Sequence, residues 1–319
     1  MTRESLDVER SVESSGSGQG PNRVEITAPA STANLGSGFD TLGMALALHD
    51  TVEITRNGQE PGSARVSVSG PGAGEVPTDK RHLVVRVLHR TLERLGLAPL
   101  AVDVRCTNAI PHARGLGSSA AAIVAGVTAA YRFAGLDVHA AGTCERVLRE
   151  AASAEGHADN VAASLFGGLA VAFSAENRYE AVRLEPHEGL APVVFIPRSE
   201  SETHTMRGLL PANVPHADAV FAAGRSALAV HALTARPDLL HVATEDRIHQ
   251  DYREPAMPAT LELVRRLRNA GVPAAVSGAG PTVLALPPSE ESPREVPAEG
   301  FEVTRLSVDR SGVRIREFD

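Results

Sequence analysis

Apolar and polar positions follow two different periods along the chain, and these periods predict both helices and strands. Residues 81–95 repeat apolar side chains at helical spacing, which predicts an amphipathic helix. Residues 23–29 alternate apolar and polar side chains, which predicts a strand with one buried face. Residues 118–133 are almost wholly small and apolar, so we expect a helix that is buried on all sides.

The remaining segments extend this mixture without a strict alternation of strand and helix. Such an order favours an α+β fold. Further strands are predicted at residues 50–56, 65–69, 101–106, 167–173, 193–197, 283–286, 301–308 and 313–318. Further helices are predicted at residues 140–154, 216–234 and 259–270, with a short one opening at 156–160.

Length and composition divide the chain into a tail and two domains. The 319 residues are enough for two domains with sizeable cores. Residues 1–21 are rich in Ser, Gly and Glu and lack periodicity, so we expect a disordered tail. A composition shift at residues 185–192 predicts a boundary between a first domain at 22–188 and a second at 189–319.

Charge and residue usage argue against several classes of function. The net charge of −8 and the aromatic content of 3% disfavour a nucleic-acid partner. No apolar run is long enough to span a membrane, and the acidic N-terminus is unlike a signal peptide. Cys106 and Cys144 provide neither a disulfide framework nor a metal-ligand spacing, so we expect a reducing, cytoplasmic setting. Lys80 is the only lysine, so arginine would have to bind anionic groups.

A glycine-rich segment at residues 111–122 is the strongest candidate for a binding site. Gly115 and Gly117 permit a tight turn and let a ligand approach the backbone closely. Ser118 and Ser119 would begin a helix whose first N–H groups lack partners within the helix. Together with the helix dipole, these donors favour an anion such as phosphate.

Other interpretations compete with the phosphate site. A Gly-Ser turn that only caps a buried helix explains an isolated motif of this kind equally well. A dinucleotide fingerprint fits the spacing from Gly115 to Ala120, with Asp137 further on, but residues 107–114 separate this segment from its strand. This leaves only a formal match to a dehydrogenase. A Walker loop requires a lysine after its last glycine, and here Ser118 follows.

Several segments, in the same order, resemble the GHMP kinases, the superfamily of galactokinase, homoserine kinase, mevalonate kinase and phosphomevalonate kinase. Residues 111–122 resemble its phosphate loop, and residues 277–282 resemble its third, glycine-rich motif. The segments similar to the homoserine kinase branch in particular are residues 29–43, 155–161, 165–168 and 249–253, together with Arg207 before Leu210 and Pro211. The resemblance extends from Val24 to Leu286, which is most of the chain.

This resemblance implies a fold and an activity. The fold is a ribosomal-S5-like N-terminal domain followed by a ferredoxin-like C-terminal domain. The activity is ATP-dependent phosphorylation of the L-homoserine hydroxyl on the route to threonine, with Mg²⁺ as the metal and a homodimer as the assembly common in the family. Two alternatives stay open: a kinase of the superfamily with another acceptor, such as mevalonate, and a non-catalytic ligand sensor on the same fold.

The resemblance also implies roles for individual residues. Arg207 and Arg253 would bind the substrate carboxylate, and Asp40 would bind the ammonium. The nucleotide-binding residues would be Pro111, Arg114, Gly115, Leu116, Gly117, Ser118, Ser119 and Ala120. The catalytic residues would be Asn34 and Asn160, with His157 and Gly278 as further substrate contacts. Without the resemblance, ordinary roles are favoured for these residues: surface positions for Arg207 and Arg253, and a turn or helix cap for His157 and Asn160.

Asn160 lies where other branches of the superfamily have an aspartate proposed as a general base. Because asparagine does not accept a proton usefully at neutral pH, we expect direct in-line transfer with Asn160 aligning the nucleophile. For Mg²⁺ the resemblance implies a glutamate on the preceding helix and a serine of the phosphate loop. We assign Ser119 and Glu150, with Glu155 as the alternative, because Arg149 occupies the best-matched position.

Overall fold

The computed structural model describes residues 20–140, 142–199, 203–287 and 296–318. The disordered tail expected at residues 1–21 lies outside these ranges, except for Gly20 and Pro21. No helix in the described ranges is long and apolar enough to cross a membrane.

Strands and helices follow one another without strict alternation, which confirms the mixed order expected from the sequence. The strands are β1 (Arg23–Asn34), β2 (Gly38–Arg56), β3 (Ala64–Ser69), β4 (Val102–Thr107), β5 (Leu169–Ala175), β6 (Arg178–Leu184), β7 (Val193–Pro197), β8 (Ala274–Val276), β9 (Val283–Ala285), β10 (Phe301–Arg305) and β11 (Arg314–Phe318). The helices are α1 (Leu83–Arg94), α2 (Ser118–Phe133), α3 (Thr143–Glu155), α4 (Asp159–Phe166), α5 (Thr203–Gly208), α6 (His216–Thr234), α7 (Leu240–Ala243) and α8 (Pro258–Asn269). Two 3₁₀ helices span Pro237–Leu239 and Asp251–Ala256.

The first sheet is built around the long hairpin of β1 and β2. Its strand order is β11-β1-β2-β4-β3, and β5 pairs with both β2 and β6. The small-residue segment at 28–40, which could be a plain loop by its sequence, is mostly strand in the structure. The tip of this hairpin, residues 34–40, therefore carries Asn34 and Asp40 on a backbone fixed by the sheet.

Helix α2 forms the centre of the helical layer on the first sheet. It contacts α1, α3 and α4 as well as strand β1. Gly126 allows α1 to approach closely, because a Cβ at this position would lie 2.8 Å from the Val84 carbonyl oxygen. Most side chains of α2, including Ile123 and Val127, are buried, as the apolar sequence predicts. The start of α2 is thereby held rigidly against the sheet.

The second sheet has the strand order β10-β7-β9-β8 and packs with the helices of the second half. One apolar cluster joins the two halves, with Leu42 and Leu116 on one side and Val194, Leu233 and Leu284 on the other. Because this shared core fixes the halves against each other, loops from both can form a single site.

The last strand returns to the first sheet. The sequence predicts a strand at residues 313–318 within a second domain at 189–319, but β11 pairs antiparallel with β1, with Ile315 opposite Ile26. The connection runs beside β2, where the Asp309 amide donates to the Ala45 carbonyl. Alternation of side chains identifies a strand but not its neighbour, because the two-residue period is the same at every sheet edge.

Candidate active site

Loops from both halves converge on a cavity of about 90 Å³. Its lining includes Asn34, Phe39, Asp40, Pro111, Arg114, Gly115, Leu116, Gly117, Ser118, Ser119, Glu155, His157, Asp159, Asn160, Arg207, Arg253 and Gly278. Two residues expected in the site do not line this cavity. Ala120 has its side chain in the core of the first domain, and Glu150 lies elsewhere on α3.

The glycine-rich loop, residues 111–117, has the tight geometry that its sequence predicts. Gly115 and Gly117 have φ angles of 74° and 70°, where a side chain is strained. A Cβ on Gly115 would lie 2.4 Å from the Ser277 carbonyl oxygen, and one on Gly117 would lie 2.0 Å from Ser31 Oγ. Gly117 caps α2 without a side-chain hydrogen bond, so the first-turn amides keep the character of an anion site.

Arg114 joins the glycine-rich loop to the second domain. Its guanidinium donates to the carbonyl oxygens of Pro197 at 2.9 Å and Arg198 at 2.6 Å, at the end of β7. The side chain also borders the cavity. Arg114, which the sequence predicts to bind the nucleotide, therefore also anchors the glycine-rich loop to the end of β7.

The hairpin tip presents a carboxylate to an arginine from the second domain. Arg207 on α5 forms a two-pronged ion pair with Asp40, with N–O distances of 2.8 and 2.6 Å. Asn34 supports this tip, since its Oδ1 accepts from the Asp40 amide at 3.0 Å and its Nδ2 donates to the Gly278 carbonyl at 2.8 Å. Both charges are about one-third exposed, so an incoming zwitterion can reach them.

Arg253 is a deeply buried cation. It is 1% exposed, and within the described ranges no carboxylate lies within 4 Å of its guanidinium nitrogens. Burial, together with the charge of Arg207, lowers the pKa of Arg253 to about 10. The carboxylates of Asp40 and Asp246 oppose this shift but do not outweigh it. Because burying an incompletely compensated charge is costly, the site is electrostatically suited to an anion beside Arg253.

A buried cluster of acids and a histidine lies where α3 meets α4. His157 Nδ1 is 2.8 Å from Asp159 Oδ1, and Ser119 Oγ donates to Glu155 Oε2 at 2.8 Å. Burial disfavours the imidazolium, but the hydrogen bond and charge of Asp159 outweigh it and raise the pKa of His157. Burial also raises the pKa of Glu155, despite the hydrogen bond from Ser119. His157 thus remains cationic to a higher pH than a free histidine would.

Asn160, on the first turn of α4, is held from two sides. Its side-chain Oδ1 accepts from the Ser31 hydroxyl at 2.9 Å, and its backbone amide donates to Asp159 Oδ1 at 2.7 Å. With the side-chain oxygen engaged, the amide NH₂ group is the part of Asn160 suited to donate to a ligand oxygen.

Glu150 is not brought to Ser119. Its carboxylate pairs with Arg94 of α1, beside Thr91 and Tyr131, outside the candidate site. Five residues along a helix turn the side-chain direction by about 140°, so Glu150 and Glu155 point to different faces of α3. The assignment of Glu150 as the partner of Ser119 is thus corrected to Glu155.

A second and larger cavity of about 580 Å³ adjoins the start of α2. Ser118 and Ser119 line it together with apolar side chains such as Val52, Leu83 and Val84. His82 also lines it, and its Nδ1 is buried without a hydrogen-bond partner in the described part of the chain. A flat, partly polar group next to the anion site would fit these surroundings.

Sequence reasoning did not select Phe39, Ser31 or Asp159 as site residues. The Phe39 ring lies 5.8 Å from the Arg207 guanidinium carbon and 5.7 Å from that of Arg253. An aromatic side chain within a glycine-rich segment of an aromatic-poor chain was an available signal for it. Ser31 and Asp159 act through hydrogen bonds to other site residues, and no local pattern reveals such a role.

Two protein-family models match this chain, one in each half. The GHMP kinases N-terminal domain model matches residues 82–168, and the GHMP kinases C-terminal model matches residues 225–300. Homoserine kinase from Streptomyces avermitilis is 46% identical over 92% of this chain and 95% of its own length. The homoserine kinase from Rhodococcus erythropolis is 47% identical over 94% and 95%.

Solved structures agree with this result. The crystal structure of homoserine kinase from Cytophaga hutchinsonii has a TM-score of 0.78 and 26% identity, over 92% of this chain and 98% of that one. Mevalonate diphosphate decarboxylase from Staphylococcus aureus, at 16% identity and a TM-score of 0.63, shares the fold over 93% of this chain and 98% of its own. The α+β architecture of an N-terminal and a C-terminal GHMP kinase domain is thereby confirmed.

Proposed function

The chain belongs to the homoserine kinases of the GHMP kinase family, and from this premise we propose how its cavity binds ATP and L-homoserine and transfers the phosphoryl group. The reaction breaks the bond between the γ-phosphorus and the bridging oxygen of ATP, joins that phosphorus to the homoserine hydroxyl oxygen, and releases ADP and the hydroxyl proton. The observation that carries the proposal is that the glycine-rich loop and the charged cluster of Asp40, Arg207 and Arg253 share one cavity.

The donor end of the site lies along the start of α2. Backbone amides from Gly115 to Ser119 suit the phosphates, since they sit at a helix N-terminus beside two glycines. Ala120 would contribute only its backbone, because its side chain is buried. The 580 Å³ cavity next to Ser118 suits the base, because it adjoins the phosphate loop and is lined by apolar side chains such as Val52, Leu83 and Val84.

The acceptor end binds both charges of an amino acid. The substrate ammonium takes the place of Arg207 on Asp40, and the carboxylate binds Arg207 and the buried Arg253. This exchange gives Asp40 a new cationic partner and places one carboxylate between the two arginines, which a substrate with one charge cannot do. Asn34, His157 and Asn160 line the same small cavity as this cluster and the glycine-rich loop, which leaves the side-chain hydroxyl of homoserine near the phosphate site.

Transfer proceeds in line and without a strong protein base. Asn160 donates to the homoserine hydroxyl oxygen and orients it, because its own oxygen is engaged by Ser31. Asn34 holds the hairpin tip in place. Despite burial, the Asp159 carboxylate raises the pKa of His157 and so favours the imidazolium form, which would offset negative charge. A loose transition state needs positioning and charge neutralisation more than it needs proton removal.

Ser119 and Glu155 form an oxygen pair that fits Mg²⁺ beside the phosphates. Mg²⁺ is usually held in such sites by one or two protein oxygens together with phosphate oxygens and water. The metal would neutralise phosphate charge there. Glu155 is 13% exposed at its side chain and already lies 2.8 Å from Ser119 Oγ.

Glu155→Gln is expected to raise the Mg²⁺ concentration needed for half-maximal rate by about 10-fold or more, because an amide is a poorer ligand than a carboxylate. The matched control is Glu150→Gln, on the same helix but paired with Arg94. Mg²⁺ titrations of the initial rate compare the two variants. An unchanged Mg²⁺ requirement for Glu155→Gln, or a raised one for Glu150→Gln, would contradict the assignment.

Gly117→Ala is expected to raise the KM for ATP by about 10-fold or more, since displacing one positioned donor group is costly. The new Cβ would lie 2.0 Å from Ser31 Oγ at a positive φ. Gly74→Ala is the control, because Gly74 has a φ of 82° but no atom within 4 Å of the added Cβ. ATP kinetics and Tm are measured for both. Equal ATP KM values in the two variants would rule out a phosphate-binding role for this loop geometry.

An acceptor panel tests the function itself. ADP release from Mg-ATP is measured with homoserine, mevalonate, 4-hydroxybutyrate and 4-amino-1-butanol. Homoserine alone should support rapid release, since only it has a hydroxyl, a carboxylate and an ammonium. Release with mevalonate would favour another acceptor class, and silence with every compound would favour a ligand sensor.

The biological setting is proposed from the same family membership. The product, O-phospho-L-homoserine, is an intermediate towards threonine, and we place the enzyme in the cytoplasm as a homodimer. The large share of each relative that this chain covers supports a like role. Sedimentation equilibrium of the purified chain would test the dimer, and a monomer at working concentration would contradict it.

A further inference from the structure

His249 lies behind the charged cluster of Asp40, Arg207 and Arg253 and contacts both Arg253 and the hairpin tip. Its side chain is fully buried just before the 3₁₀ helix that carries Arg253. The imidazole stacks on Phe39, with ring centroids 5.1 Å apart and planes inclined by 21°. The ring thus lies between the hairpin tip of the first domain and the arginine of the second.

The hydrogen bonds of His249 determine its tautomer. Nε2 is 2.7 Å from the Gly36 carbonyl oxygen, which can only accept, so Nε2 carries a proton. Nδ1 is 3.1 Å from Arg253 Nη1, which can only donate, so Nδ1 presents its lone pair. The imidazole is therefore neutral, and burial lowers its pKa. The charged groups that face it are Asp246, Arg253 and Asp40.

The hydrogen bond between His249 and Arg253 is harder to replace than the one between His249 and Gly36. The other acceptors of Arg253 are the carbonyl oxygens of Met206 at 3.3 Å and Gly278 at 3.5 Å, both longer than the bond to His249. The hairpin tip, in contrast, has further anchors. Ser37 Oγ donates to the Ala243 carbonyl at 2.8 Å, and the Ser37 carbonyl accepts from Ser226 Oγ at 2.5 Å.

We propose that His249 is a positioning residue for homoserine: its Nδ1 lone pair holds the Arg253 guanidinium in the orientation that meets the substrate carboxylate. The inference rests on the proposed function of the cavity. It gives His249 no contact with ATP and no part in proton transfer. Loss of the Nδ1 acceptor should therefore weaken homoserine binding and leave ATP binding and the maximal rate nearly unchanged.

Two substitutions separate the two ring nitrogens. In His249→Asn the side-chain oxygen occupies the place of Nδ1 and keeps an acceptor for Arg253. In His249→Gln the amide nitrogen occupies the place of Nε2 and keeps the donor to Gly36, but no acceptor stands at Nδ1. We expect the KM for homoserine to rise by about 10-fold or more in His249→Gln, in line with the loss of a hydrogen bond to a charged group. In His249→Asn it should change little.

The control is His241→Gln, a histidine of the same domain that bonds the Arg268 carbonyl away from the cavity. Equal homoserine KM values for His249→Asn and His249→Gln, or an equal rise in the KM for ATP, would overturn the inference while the activity of the wild type stands. A wild type without homoserine-dependent ADP release would overturn the proposed function and, with it, this role in homoserine binding.

A measurement on the wild-type chain guards against variants that fail to fold. Nitrogen-15 NMR of the labelled histidines at neutral pH should show His249 with a protonated Nε2 and an unprotonated Nδ1. A protonated Nδ1 would overturn the inference, because such a nitrogen cannot accept from Arg253.

Discussion

Replacing Arg253 by methionine is expected to raise the KM for homoserine by about 30-fold to several thousand-fold. This range corresponds to about 2–5 kcal/mol for removing one partner of a buried, hydrogen-bonded charge pair. The cause is specific to this site, because Arg253 is 1% exposed and, among the described residues, its guanidinium donates to neutral acceptors only. A substrate carboxylate would be its first charged acceptor. Initial rates over a range of homoserine concentrations at saturating Mg-ATP measure the effect.

Thermal unfolding of the variant distinguishes a direct loss of homoserine binding from misfolding. Arg253→Met removes a costly buried charge but leaves the His249 Nδ1 acceptor without its donor, so we expect its Tm to stay close to that of the wild type. Arg265→Met serves as the control, because Arg265 is exposed and pairs with Glu254 outside the cavity. A homoserine KM close to that of the wild type in Arg253→Met would remove this residue from the carboxylate site. A parallel rise in the KM for ATP would point to a general disturbance instead.

Replacing Asn160 by alanine is expected to lower kcat by about 100- to 1000-fold, the usual loss when one positioned donor is removed from a reacting oxygen. The KM for ATP should change far less, because Asn160 lies on α4 and not on the glycine-rich loop. Pre-steady-state and steady-state ADP release, with ATP affinity measured separately, distinguish the two effects.

Asn57→Ala is the matched control for this substitution. Asn57 is a surface asparagine whose amide bonds Asp103, and it does not line the cavity. A second variant, Ser31→Ala, removes the hydroxyl that fixes Asn160 Oδ1 and should give a smaller loss of kcat. An unchanged kcat in Asn160→Ala would leave the hydroxyl of homoserine without its proposed aligning group.

The sequence predicts helices where an amphipathic period or a long run of helix-favouring residues such as alanine is present. The helix expected at residues 216–234 is α6, His216–Thr234, and that expected at 81–95 is α1, Leu83–Arg94. It could not predict that residues 28–40 are mostly strand, because small residues and glycines carry little strand preference. Antiparallel pairing of β1 with β2 stabilises the extended backbone where the local strand preference is weak.

The sequence predicts only those residues of the candidate site that lie in recognisable motifs. Asp40, Asn160 and Arg253 came from the resemblance of segments far apart in sequence, and the structure brings them to one cavity. The pairing of Ser119 with Glu150 was wrong, since Ser119 bonds Glu155. The sequence alone does not show which of two nearby carboxylates on a helix faces the neighbouring helix. That direction depends on how α3 packs, which no one-dimensional pattern contains.

The return of β11 to β1 makes the first domain discontinuous in sequence. Its sheet takes strands from Arg23 to Leu184 and then again from Arg314 to Phe318, so the second domain is an insertion. A fragment that ends at residue 188 would lose the outermost strand and leave the backbone groups of β1 open to pairing with another chain. The start of β1 and the end of β11 also lie side by side, since Arg23 is opposite Phe318. Joining them and opening the chain in an exposed loop would therefore preserve every strand contact, which makes this fold a natural subject for circular permutation.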